Sequence, residues 1–158
     1  METKLEIATI KANTPSFGGV DLCWLISRNQ LEFILQDVTV FQSSPLITTA
    51  EYQDAILPII NLEQHFGLPE AGPGKASKYL VVRAVTTEKA LVKVIIKTPN
   101  VLKIQQVEGV FTAPRPLSLP RNNADLMGSY SMPDGSLGLF PDVAGISRSL
   151  NWGQNQPI

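Results

Sequence analysis

Cysteine and histidine each occur only once in the 158 residues, as Cys23 and His65. A single thiol cannot close an internal disulfide, and one imidazole without a cysteine pair leaves no metal-ligand pattern. No metal and no cofactor are therefore expected. A Ser/His/Asp triad would have to use His65. That residue lies in "LEQHFG", one turn before a glycine stop, where a histidine faces free helix-end carbonyls or solvent. Cys23 sits between Leu22 and Trp24, the setting of a buried, inert thiol. Charge is sparse as well: 13 basic and 14 acidic residues give a net −1 with no charge run, so nothing marks a nucleic-acid or anionic-membrane binder. Aromatic and basic residues do not interleave as they do where bases are stacked. The longest apolar runs are too short to span a bilayer, and "METKLEIATIK" lacks a signal peptide's hydrophobic core. These absences predict a soluble, cytoplasmic protein with no direct membrane insertion.

What is present is apolar and strand-forming. Hydrophobic residues make up 44% of the chain, enough for one domain with a sizeable core. Residues 1–19 end in the breaker-rich "NTPSFGG" and read as a flexible N-terminal arm, 20–150 as the domain, and 151–158 as a patternless tail containing Trp152. "DLCWLI" and "LEFIL" flank "SRNQ" as a hairpin; "QDVTVF" is a helical turn or a strand, and residues 42–54 are mostly a connection. "AILPIIN" reads as a strand whose proline confines it to an edge or a bulge. "LEQHF" is a turn of helix stopped by Gly67 and Pro69. The loop "GLPEAGPGKAS" has a Lys and Ser after glycines, but lacks the full phosphate-loop spacing and precedes a strand. "KYLVVRAV" and "ALVKVIIK" form a second hairpin around "TTEK". "VLKIQQVEGVFT" is ambiguous, and "PRPLSLP" is extended. "LMGSYSM" and "SLGLF" bracket the turn "PDG" as a third hairpin. Asp142 is placed to cap a short helix with Val143, Ile146 and Leu150 on one face. The class is mainly β, a barrel or sandwich. Asp37, Glu51, Asp54 and Glu63 are scattered, in no acid and base spacing, and read as solvated or capping groups.

In this order the pieces resemble the CheW family, the adaptors that couple chemoreceptors to the CheA histidine kinase. The resemblance runs from about Leu22 to Leu150 and rests on several stretches. These are "LCWLISRNQLEFIL" with "QDVTVF"; "ILPIINLEQHFGL", close to the family's L-P-V-[IV]-D-L strand and turn; "YLVVRAVTTEKALVKVIIK"; "VLKI"; and the last hairpin with its helix. It implies two small SH3-like, five-stranded β-barrel subdomains sharing one core, with a short C-terminal helix. It further implies a non-catalytic adaptor that binds the regulatory domain of a CheA-type histidine kinase, a chemoreceptor's cytoplasmic tip, or both. Positions matching the family's partner-facing parts are Val38, Val40 and Phe41, then Gln53 and Asp54, with Ile56 and Pro58 in the strand that follows.

The departures are specific. Where the family has N-L-R-G, this chain has Glu51, Tyr52, Gln53 and Asp54, so Gln53 stands for the arginine and Asp54 for the glycine. An amide cannot reproduce the guanidinium fork in a charge-assisted contact. The connection from Phe41 to Gln53 is short for the family, and Lys97 stands where an acid is usual. Two other readings follow: a diverged CheW-like or other small β-barrel module with a different protein or small-molecule partner, and a hydrolase built on His65.

Overall fold

The computed structural model describes residues 5–42, 48–70, 77–86, 88–107 and 117–150. Among these residues, eleven strands and two short α-helices follow one another. They are β1 (Leu5–Lys11), β2 (Leu22–Ser27), β3 (Leu31–Leu35), β4 (Val40–Gln42), β5 (Thr48–Tyr52), β6 (Ala55–Ile60), α1 (Leu62–Phe66), β7 (Lys78–Val85), β8 (Leu91–Thr98), β9 (Leu102–Val107), β10 (Leu126–Ser131), β11 (Leu137–Pro141) and α2 (Val143–Ser149). The tail 151–158, most of the Gly/Pro-rich loop and residues 108–116 lie outside the described residues.

The strands form two sheets. One has five strands in the order β10-β11-β2-β1-β9, and the other six in the order β3-β7-β8-β6-β5-β4. The expected mainly β, two-subdomain architecture is present, with one strand more in the second sheet. The segment expected as a flexible arm is instead partly a central strand. β1 pairs antiparallel with β2 on one side and β9 on the other, and Ile7, Ala8 and Ile10 are fully buried. The alternation in "LEIATIK" carries that strand; the breakers after it belong only to the connection to β2. The hairpin expected from residues 21–35 is also absent as a pair. β2 joins the first sheet and β3 pairs with β7 in the second. Between them, Gln30 N–H donates to the Ser27 carbonyl and Leu31 N–H to that of Arg28, a tight corner at which the chain changes sheets.

The second and third expected hairpins are present, β7 with β8 and β10 with β11. A further hairpin, β5 with β6, occupies part of what reads as connection, and its two-residue turn is Gln53–Asp54. Both residues are left-handed, with φ of 49° and 65°, the signature of a type I′ turn. Asn-Gly is the usual sequence for such a turn, so Gln-Asp hides it. The first half of the ambiguous run is a strand, β9, and its residues 108–112 lie outside the described residues.

One hydrophobic cluster joins the sheets. Trp24, Ile26, Leu137 and Leu139 from the first meet Ile60, Leu80, Val82, Val94 and Ile96 from the second, with Phe66 of α1 and Val143 and Ile146 of α2 closing it. The alternate residues Val81, Ile95 and Leu57 point to the opposite face of the second sheet and form its own smaller core with Ala50 and Tyr52. α2 packs its expected apolar face into the shared core. Asp142 occupies the N-cap position, but its side chain makes no capping bond. Its carboxylate lies instead against Gly145, where a Cβ would come 2.7 Å from Asp142 Oδ2 and 2.9 Å from Asp125 Oδ1.

α1 is the joint between the sheets. Asn61 caps it through a bond from Gln64 N–H, and Gly67 ends it at φ 75°, the left-handed stop that its glycine permits. Phe66 stacks on Trp24 with ring centroids 5.5 Å apart. The Trp24 indole N–H donates to Glu63, which is only 4% exposed. Glu63 is thus neither solvated nor capping. Burial pushes its carboxyl above the ordinary value of 4.5; the Trp24 and Asn13 hydrogen bonds oppose the shift and the charge of Glu70 adds to it.

Two stability predictions follow from these elements. Asp54→Gly removes the left-handed penalty at the β5–β6 turn and should stabilise the fold by about 1 kcal/mol, read as a higher midpoint in urea. Because folding raises the Glu63 pKa, this residue's contribution is complete below its unfolded value near 4.5 and is lost as pH rises through the folded one. Glu63→Gln keeps an acceptor for Trp24 without a charge. It should match the wild type in Tm at about pH 4 and exceed it by a few degrees at pH 8, the shift that about 1 kcal/mol produces at this size; equal gaps at both pH values would contradict this.

Candidate protein-interaction face

The outer strands of the second sheet gather most of the residues singled out from the sequence. Phe41 lies opposite Thr49, Thr49 opposite Pro58, and Glu51 opposite Ile56, so these five share one face of β4, β5 and β6. Thr49 and Pro58 form its buried floor, while Phe41 and Ile56 stand 45% and 48% exposed. The Thr49 hydroxyl donates to the Phe41 carbonyl at 3.2 Å and ties β4 to its neighbour. Val40 is on the reverse face, opposite Ala50, yet half exposed at the margin. Val38 is half-buried against the second sheet's own core. Gln53 and Asp54 are exposed at the turn.

Pro58 differs from expectation. β6 lies inside the sheet between β5 and β8, and the Pro58 side chain is buried. The parallel ladder to β8 starts only at Ile59, opposite Ile95. A residue unable to donate is therefore tolerated just before that ladder begins. It forms part of the buried floor, and the exposed apolar side chains beside it are Phe41, Val40 and Ile56. Exposed apolar side chains that the sequence reading passed over lie on β3, as Phe33 and Ile34, and at the β7–β8 tip, as Val85 and Leu91. Alternation marks them as strand residues and does not say which side of the strand is covered.

His65 has a structural setting. Its side chain is 8% exposed, and Nε2 lies 2.8 Å from Asp125 Oδ2. The Ser149 hydroxyl donates to the same carboxylate oxygen at 2.7 Å. In a nucleophilic triad the imidazole stands between hydroxyl and carboxylate; here the carboxylate stands between the other two. The network instead fastens α1 to α2 and to the 3-10 turn at Asn123–Asp125, helped by Asn122, which donates to the His65 carbonyl. Cys23 faces a cavity of about 700 Å³ on the first sheet, lined also by Thr9, Lys11, Lys103 and Ser136. Burial pushes its thiol up, against the Ser136 hydrogen bond and with the Asp134 charge adding, so the thiolate needed for nucleophilic attack is disfavoured. Among the described residues no group of three or more His, Cys, Asp or Glu side chains could hold a metal. No helix among them is long and apolar enough to cross a membrane.

The fold is that of a known scaffold. The chain is similar to the scaffolding protein TtCheW from Thermoanaerobacter tengcongensis, with a TM-score of 0.64 and 15% identity over 90% of this chain and 87% of that one. No curated protein matches. The family model for the CheW-like domain matches residues 34–151, from the end of β3 through α2 and including the whole face described above. The chain therefore belongs to the CheW-like domain family.

Proposed function

We propose that this chain is a non-catalytic cytoplasmic adaptor of bacterial chemosensory signalling that docks protein partners on the face of β4, β5 and β6. The partners are the regulatory domain of a CheA-type histidine kinase, the cytoplasmic tip of a chemoreceptor, or both. The observation that carries this reading is the pair Phe41 and Ile56, two large apolar side chains left about half exposed over a buried floor. β4 is also the last strand of its sheet among the described residues, and such an edge accepts a partner's strand or apolar side chains. The polar network at His65 and the raised Cys23 thiol supply no nucleophile and base pair, which supports binding without chemistry.

Titration calorimetry against the regulatory domain of the cognate kinase tests the proposal. Phe41→Asp should weaken binding by about tenfold or more, as truncation of a central apolar anchor does, while leaving the thermal unfolding midpoint within a few degrees. Unchanged affinity for Phe41→Asp would remove this face from the interaction. Gln53→Arg restores the family's guanidinium at the turn and should tighten binding several-fold through a charge-assisted contact. No gain would mean that the short connection between Phe41 and Gln53 limits the contact instead.

A further inference from the structure

The outer face of the first sheet carries charges that the fold does not pair. Ala8 and Ile10 of β1 belong to the shared core, so Thr9 and Lys11 between and beyond them point the other way. The register sets Lys103 of β9 opposite Thr9, Cys23 of β2 opposite Lys11, and Gly138 of β11 opposite Cys23, which puts all of them on this outer face. Part of it is packed: Ile7, Leu25 and Met132 form a small apolar cluster with Cys23 against it. Gly138 makes room for that cluster, since a Cβ there would come 2.6 Å from Leu25 Cδ1 and 2.9 Å from Met132 Sδ. Beside the cluster the face opens into the cavity at Cys23, about 700 Å³ in volume, within the usual range of small-molecule sites.

The two sides of this cavity differ in charge. Lys11 and Lys103 line the β1 and β9 side, whereas Asp21, just before β2, and Asp134, in the turn from β10 to β11, line the other. All four are exposed, and none has an ion-pair partner among the described residues. Asp134 is fixed at the rim by Ser136, whose N–H and hydroxyl donate to its Oδ1 at 2.9 and 2.6 Å. Those bonds hold its carboxyl below the ordinary value of 3.8, and the charge of Lys103 adds to the effect. Opposite charges therefore stand within reach of each other's field without closing into a pair.

We propose that this cavity binds a short zwitterionic peptide, its carboxylate at Lys11 and Lys103, its ammonium at Asp134 and Asp21, and a side chain over Cys23 and Met132. The charge pattern selects the class. A simple anion drawn to the lysines meets the two carboxylates, a simple cation drawn to the carboxylates meets the lysines, and an apolar molecule uses neither. A molecule with one charge of each sign at its two ends pairs with both sides. The span selects the length. β9 and β11 are three strand spacings apart, roughly 14 Å at about 4.8 Å each. An extended dipeptide separates its two charges by about 7 Å at about 3.5 Å per residue, and a hydrogen bond of about 3 Å at either end brings it to both sides. The β4–β6 face lies on the other sheet, so this site can be filled while that face is occupied.

Titration of the isotope-labelled full chain with the dipeptide Ala-Leu, followed through amide chemical shifts, provides the test. The amides of Thr9, Cys23, Lys103 and Ser136 should shift together and saturate with a Kd below about 10 mM, and the Kd should rise as salt screens the charges. N-acetylated Ala-Leu and Ala-Leu amide each lack one charge, and both should bind about tenfold more weakly or worse. Lys103→Met should raise the Kd for Ala-Leu about fivefold or more, and so should Asp134→Asn, which keeps an acceptor for Ser136. Both positions are exposed, and thermal midpoints close to that of the wild type show that the variants are folded. No saturable shift at those amides, equal affinity for the free and the blocked peptides, or a Lys103→Met variant that binds Ala-Leu as well as the wild type would each overturn the proposal.

Discussion

The burial of Trp24 is the constraint on which the arrangement of the molecule depends. An indole only 2% exposed contributes a large apolar area to the shared core, but it carries an N–H that must find an acceptor. The acceptor is Glu63, which reaches Trp24 from a five-residue helix following β6. One side chain of the first sheet is thereby satisfied only when the second sheet and α1 are in place. Phe66 adds the stacked ring, and the Asn61 and Gly67 caps hold so short a helix against fraying. A carboxylate is a costly acceptor, since the same burial that makes the bond strong raises its pKa. An apolar joint would escape this pH dependence, but it would leave the buried indole N–H unpaired, which itself costs stability.

With that joint in place, the rest of α1 is used on the other side. His65, Asp125 and Ser149 link it to the 3-10 turn and to α2, and α2 in turn covers the shared core. The two sheets therefore hold a fixed relation without a closed ring of hydrogen-bonded strands among the described residues. The second sheet has one face in the shared core and one over its own smaller core. Its inner strands have no apolar area left to offer, except at their ends. On this sheet the exposed apolar side chains accordingly fall where covering runs out, on the marginal strands β3 and β4 and at the β6 and β7–β8 ends, while on the first sheet Ile104 of β9 and Met127 of β10 are exposed.

Much of this architecture was legible in the residues. Alternation and turn chemistry identified β7 with β8, β10 with β11 and α2, because each is a local pair or a single periodic stretch. Family resemblance supplied the assembly into two subdomains. The misreadings share one cause, that strand partners are chosen over long distances. "DLCWLI" and "LEFIL" are adjacent strands, yet their partners are β1 and β11 for the one and β7 for the other. β1 looked like an arm because its partners, β2 and β9, are distant or separated from it by breakers. The Gln53–Asp54 turn was hidden because two residues that seldom take positive φ occupy it. Glu63 and His65 read as surface groups, since neither Trp24 nor Asp125 can be recognised as a neighbour from spacing in the chain. The family positions fall together on the β4–β6 edge of the second sheet, but only the register separates the exposed Phe41 and Ile56 from the buried Pro58.

The central claim is that the chain acts by presenting the β4–β6 face to a kinase or receptor. Amide chemical-shift mapping tests it most directly, with isotope-labelled protein titrated with the regulatory domain of the cognate CheA-type kinase or with the receptor tip. The account predicts that the perturbed amides form one contiguous patch containing Val40, Phe41, Gln53 and Ile56, while those around Cys23 and Lys103 on the first sheet stay in place. A patch centred on the first-sheet cavity, or no perturbation with either partner at concentrations where weak complexes form, would contradict it.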